Sequence, residues 1–343
     1  MIEFLPITLD SQEIFRRYMA RDNLALSDMN FTNCYMWRHA REISYAILED
    51  TLVIQTRYAG SEPFVFFPIG AECMESALRV LETLRAHYVR LNLPLHLASM
   101  DRAQARALDS HFGSTSTPVR EKFDYIYDVS ELILLSGRKY HKKKNHLNAF
   151  LQEYPHFVFE EITARNAQAI LEAYEEWFGA NPNKSEGLKY EYLGIKDALG
   201  AYEQLGLKGG VIFINGKVGA FSFGEELPCV LESESTESAP PSSITESSAK
   251  PHTESNKAYE GSGESREQGA RKRGKVAVIH IEKADSQYRG IYQAINQQVL
   301  EHCFSHCVWV NREEDLGIEG LRKAKLSYQP AFLLEKFRAT IQG

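Results

Sequence analysis

The chain has few cysteines and no long apolar run. Its five cysteines (Cys34, Cys73, Cys229, Cys303, Cys307) are scattered through 343 residues. An odd, irregularly spaced set argues against a disulfide framework and fits a reducing compartment. No stretch approaches the roughly 20 apolar residues that a membrane-spanning helix requires, and the opening MIEFLPITLD has neither a basic nor an apolar leader segment. A cytoplasmic location without a transmembrane segment is the expectation. Positive charge is not in excess either: the net charge is −7, so the molecule as a whole is no nucleic-acid-binding polycation, although a local basic stretch can still hold phosphates. One segment, 228–274, lacks Phe, Trp, Met and Asp altogether and is rich in Ser, Glu, Pro, Thr and Gly. Such a composition cannot bury enough apolar surface to offset its ordering entropy, which predicts a disordered insertion.

Over the whole chain the balance is that of a soluble globular protein, with 43% hydrophobic and 25% charged residues. The length suits two domains. Residues 11–36 read as helical, 43–57 as paired strands turning at Glu49-Asp50, 64–69 as a short apolar run, 74–91 as a helix and 95–98 as a strand. Asp101 is placed to cap a helix running to about His111, and 123–129 alternates as a strand that closes a first domain near residue 130. A basic helix over 135–154 ends before Pro155. A second cycle then begins, with a strand at 157–162, helices at 166–179 and 188–205, and a strand pair over 210–223. The turn of that pair is Asn215-Gly216, a strong hairpin signal because both central positions of a type I′ turn need positive φ. After the insertion come a strand at 276–282, a helix at 288–303, a strand at 307–311, a helix at 317–325 and a terminal strand at 329–337. The strands flanking the insertion, GAFSFGEE and VAVIHIEKA, are expected to pair as an antiparallel hairpin.

Strand and helix order of this kind is that of a GNAT domain. Three runs sharpen the likeness: GRKYHKKKNHLNAF (137–150), VIHIEKAD with the following RGIYQAIN (278–296), and VNREEDLGIEGLRKAKLSYQP (310–330). On these the chain resembles the phosphatidylglycerol lysyltransferase C-terminal-domain-like family over nearly all of its length except the insertion. The resemblance implies a mixed α+β fold of two tandem GNAT-like acyltransferase domains, 1–130 and 131–343, each a mostly antiparallel sheet flanked by helices. It also implies kinship with enzymes that move an aminoacyl group from aminoacyl-tRNA to a lipid or peptide acceptor.

Within that frame, Gln287, Arg289 and Gly290 stand between a strand and a helix, where a GNAT fold cradles a phosphate on backbone N–H groups; with Tyr292 and Asn296 of the helix they form the expected co-substrate site. The bland alternative is an ordinary helix start with a solvated arginine. His280 and Glu282 are two residues apart on one strand, so they are expected to share a face, and either can accept a proton from an amine nucleophile. Tyr328 is a candidate general acid, against the commoner role of a packed strand tyrosine. Asn311, Arg312 and Glu313 follow a strand end and suit a phosphate or carboxylate, unless they are solvated charges before a capped helix. Arg138, Lys139, Lys142, Lys143 and Lys144 can track phosphates or form a solvated face. His302-Cys303 and His306-Cys307 have no second ligand cluster beside them, so no metal is expected.

The expected activity is acyl or aminoacyl transfer from acyl-CoA or aminoacyl-tRNA, used as co-substrate rather than held permanently. The acceptor would be a small molecule, peptide or lipid head group entering between the domains. Two alternatives remain: a non-catalytic binder of an anionic or nucleotide-bearing ligand, and a nucleic-acid-binding protein using the basic helix over 138–146.

Overall fold

The computed structural model describes residues 1–180, 182, 185–233 and 272–342. The first half runs β1 (Leu5–Pro6), α1 (Gln12–Met19), α2 (Phe31–Trp37), β2 (Glu42–Leu48), β3 (Thr51–Arg57), β4 (Phe64–Phe66), α3 (Met74–Arg90), β5 (Leu95–Met100), α4 (Arg102–Phe112), β6 (Thr117–Pro118) and β7 (Asp124–Asp128). Two helices, α5 (Val129–Leu134) and α6 (His141–Glu153), join it to the second half. That half runs β8 (Val158–Glu161), α7 (Ala167–Ala180), α8 (Glu186–Gly200), α9 (Tyr202–Leu205), β9 (Lys208–Ile214), β10 (Lys217–Glu232), β11 (Arg273–Ala284), α10 (Ile291–Cys303), β12 (Trp309–Asn311), α11 (Glu319–Leu326), β13 (Phe332–Leu334) and β14 (Phe337–Ile341). Apart from the one-turn α9, the second half repeats the order of the first.

Local chemistry accounts for many boundaries. The β2–β3 and β9–β10 turns place Glu49, Asp50, Asn215 and Gly216 at positive φ, as type I′ hairpins need. Asp101 and Gln104 form a reciprocal capping box at the start of α4, and Gly113 ends that helix in the left-handed conformation. Helix α3 buries Ala77, Leu81, Leu84 and Tyr88, an apolar stripe at helical spacing.

The two sheets have matching orders, β1-β2-β3-β4-β5-β14-β6 and β8-β9-β10-β11-β12-β7-β13. Neighbours are antiparallel except β4 with β5 and β11 with β12. The seventh strands are exchanged: β7 completes the second sheet and β14 the first. A division at residue 130 therefore does not coincide with the division between sheets. Strand 123–129 lies where expected but pairs with β12 and β13. Alternation along a strand reports its faces and says nothing about which sheet offers an open edge.

Other expectations are corrected in detail. Residues 11–36 form two short helices, α1 and α2, rather than one. The basic helix begins at His141, because Leu135 and Gly137 take positive φ between α5 and α6. The terminal strand is two strands, β13 on one sheet and β14 on the other. The insertion is shorter than its composition suggested: β10 and β11 stay paired through Leu231↔Gly274 and Glu232↔Arg273, and Cys229 is buried with Val276 and Trp309. The rest of the expected disordered segment, 234–271, lies outside the described residues.

Apolar packing joins the halves. Phe15, Phe31 and Tyr45 of the first share one buried cluster with Ile195, Phe221 and Ile281 of the second. Helix α8 meets α2 at Gly194, where an added Cβ would stand 2.8 Å from the Met36 carbonyl oxygen. Among the described residues no helix is long and apolar enough to cross a membrane.

Candidate functional site

Strands β11 and β12 pair only over Val276–Val278 and Trp309–Asn311. Beyond that point β11 continues alone, and a cleft of about 710 Å³ opens beside it, lined by Ile279 to Lys283, residues of α10 and α11, and Asn33 and Trp37 of α2. A bulge shapes the wall: Phe223 pairs with Ile281 and Gly224 with Ile279, leaving His280 as the extra residue. Ile279 consequently packs with α10 and Ile281 with the cluster joining the two halves.

The bulge corrects the expectation that His280 and Glu282 act from one face. His280 is buried, with Nε2 2.9 Å from Glu225 and Nδ1 3.0 Å from Glu313. Burial alone would lower its pKa, but the two carboxylates override burial and raise it to about 9, so the ring is an imidazolium at neutral pH. Glu282 has other partners: Oε1 accepts from Arg312 Nη2 at 2.8 Å and Oε2 from Asn296 Nδ2 at 3.1 Å.

Asn311 is a buried pin. Its Nδ2 donates to the Ala25 carbonyl and to Asp124, and its Oδ1 accepts from the Glu313 amide at 2.7 Å. That bond helps hold Glu313 at φ 55°, a conformation rare outside glycine, where Asn33 of the first half donates to its carboxylate at 3.2 Å. Arg312 lies over the rings of Tyr127 and Tyr328, 5.7 and 4.8 Å from their centroids, and its buried Nη1 has no hydrogen-bond partner. Tyr328 is also buried, accepts from Gln293 Nε2 at 3.2 Å, and has its pKa pushed up to about 12 by burial. Lys143 reaches the same ring from α6, 3.9 Å from its centroid; burial and then the Arg312 charge bring its pKa down to about 8. Lys325 donates to the carbonyls of Arg312 and Glu313.

The model of the family described as phosphatidylglycerol lysyltransferase, C-terminal, matches residues 21–232 and 269–340. The chain belongs to this family. A conserved protein of unknown function from Bacteroides thetaiotaomicron superposes with a TM-score of 0.80 at 29% identity, covering all of both chains. L-PGS from Bacillus licheniformis superposes with a TM-score of 0.60 at 14% identity, over 100% of this chain and 94% of that one. An uncharacterized protein of Mycoplasmoides gallisepticum is 21% identical over 298 residues, 83% of this chain and 77% of its own. Two mostly antiparallel sheets of matching strand order flanked by helices are the mixed α+β fold expected from the sequence, with the last strands exchanged.

Against this family background, the residues expected to bind the co-substrate separate into two groups. Tyr292 and Asn296 are at the cleft, the first lining it and the second bonded to its Glu282. Gln287, Arg289 and Gly290 stand at the turn into α10, away from the cleft lining. Three amides there have local acceptors: Gln287 and Tyr288 bond to Asp285, and Ile291 to Tyr288. Gly290 packs on α6, where an added Cβ would stand 2.1 Å from the His146 carbonyl oxygen, and Arg289 is exposed outside the cleft. The glycine thus serves helix packing.

The basic run divides similarly. Lys139 pairs with Glu131 at 2.8 Å and Lys144 donates to the Leu134 carbonyl, while Arg138 and Lys142 are exposed. Of the run, Lys143 alone lines the cleft. His302 stacks on Phe159 and Cys303 is buried in the core. His306, Cys307 and Glu226 bring their ligand atoms within 4.8 Å of one another, a grouping that sequence spacing did not suggest; Lys275 also pairs with Glu226 at 2.7 Å.

Several residues at the site carried no signal in the sequence. Lys336, between β13 and β14, is buried with its Nζ 2.7 Å from Asp28 and 2.8 Å from Asp124. Burial would lower its pKa, but these carboxylates raise it above the usual lysine range. Asp28, Arg41, Tyr58 and Lys122 line both the cleft and a second cavity of about 670 Å³ beside β4 and β5.

Proposed function

We propose that the protein is an aminoacyltransferase that takes its acyl group from aminoacyl-tRNA and passes it to an amine or hydroxyl acceptor in the cleft. The observation that carries this choice of donor is the seating of Gly290 on α6. At the strand-to-helix turn that would cradle the pyrophosphate of an acyl-CoA, the Gln287 and Tyr288 amides are turned to Asp285, and α6 fills the space beside Gly290. Exposed Arg138 precedes the same helix, whose first turn carries exposed Lys142 and sends Lys143 into the cleft. A polyanion tracked by the outer cations therefore has its acylated end near the reactive groups. The family's lysyltransferase description agrees with a donor of this class.

The test uses the full chain with a tRNA pool charged with radiolabelled amino acids. The expected result is loss of ester-linked label above the buffer rate, with tRNA binding that weakens steeply as salt rises. Arg138→Ala with Lys142→Ala should reduce that salt slope by roughly 0.7–0.9 for each phosphate no longer neutralised. A rise in melting temperature with acetyl-CoA and none with tRNA would overturn the reading. Tight tRNA binding with every ester intact is the behaviour of a binder instead.

A further inference from the structure

Most charged groups in the cleft already have partners. Glu282 uses both oxygens, His280 both nitrogens, Lys325 two carbonyls, and Lys283 pairs with Glu191 at 2.7 Å. Lys143 and Arg312 Nη1 differ. The lysine makes no hydrogen bond or ion pair among the described residues, the guanidinium nitrogen is buried without a partner, and both groups lie over the ring of Tyr328. Arg41 Nε is also buried without a partner at the cleft, but Lys143 and Arg312 lie together beside one ring, and two open cationic donors so placed suit a reacting group that gains negative charge and exchanges a proton.

We propose that Lys143 carries the proton of the transfer step and that Arg312 Nη1 stabilises its oxyanion, an assignment that rests on the aminoacyl-tRNA reading. The acceptor oxygen or nitrogen attacks the ester carbonyl carbon and forms the new bond, while the neutral amine of Lys143 takes the acceptor's proton. The carbonyl electron pair moves onto oxygen beside Arg312. As the intermediate collapses, the carbon–oxygen bond to the tRNA ribose breaks, and the ribose oxygen takes the proton back from Lys143. The lysine ends as it began.

The alternatives expected from sequence fit this role less well. His280 stays protonated between its carboxylates, Glu282 is held by Arg312 and Asn296, and the Tyr328 phenol ionises only near pH 12. The groups that act on Lys143 are Arg312 and Glu282, with the Tyr328 ring against it; Tyr292, Lys283, Glu191, Lys325, His280, Glu313 and Glu314 line the same cleft. Arg312 opposes a charge on the lysine and Glu282 favours one, and burial adds to the first effect, so a usable fraction of the amine is neutral near pH 8.

Two measurements test the assignment. Competitive labelling with fluorodinitrobenzene across pH, read by peptide mass spectrometry, should give Lys143 a midpoint near pH 8, and Arg312→Met should move that midpoint upward. Transfer from aminoacyl-tRNA should fall at least 100-fold in both Lys143→Met and Lys143→Gln, with tRNA affinity and melting temperature retained. An ordinary lysine midpoint, or an active wild type matched within a few-fold by both variants, overturns the proposal alone. A wild type inert towards every aminoacyl-tRNA overturns the donor reading and the proposal with it.

Discussion

At Gly290 the backbone has φ +84°, and the space a side chain would need is filled by α6. Gly290→Ala is expected to cost about 2 kcal/mol or more, read as a lower urea midpoint at unchanged m-value. His280 gives a pH test. Its folded pKa of about 9 lies above the unfolded value of about 6.5, so its contribution is fully present below pH 6.5 and is lost as pH rises through 9. Glu313, raised by burial, acts with the same sign at lower pH. The urea midpoint should therefore fall between pH 6.5 and 9, and fall less in His280→Gln. In the sequence His280 and Glu282 were legible as polar residues on an apolar strand, Arg312 as a charge after a strand end and Tyr328 as a candidate acid. Their roles were not, because a single bulged residue reverses which side of β11 meets which partner, and alternation alone cannot register it.

At the scale of elements, the exchange of β7 and β14 depends on the short connection from β13 to β14, whose Lys336 neutralises Asp28 of the first half and Asp124 at the start of β7. Lys336→Met would leave two buried carboxylates without their cation and is expected to cost about 3–5 kcal/mol, measurable by urea unfolding. Helix α6 was legible as a basic helix ended by Pro155. Which of its lysines would enter a cleft was not, because that depends on how α6 rests on α10 and on Gly290. Composition misjudged the ends of the insertion for a related reason: Leu227, Cys229 and Leu231 alternate well enough to extend a strand, and β11 beside them supplies the partner.

For the whole molecule, the exchange makes each half incomplete without the other. A fragment spanning 131–343 lacks β7, so β12 and β13 lose the strand that joins them; it should not give the cooperative thermal unfolding or the compact elution of the full chain. The sequence by itself determined the doubled order of elements, the two hairpin turns and the segments where chemistry would be found, because these follow from local conformational preference and from periodic burial. Only the tertiary structure decided that the last strands trade places, that the strand-to-helix loop packs on α6, and that Lys143 and Arg312 Nη1 meet unpaired beside Tyr328. Those outcomes depend on which open edges and buried charges meet between segments far apart along the chain, and no local preference encodes that.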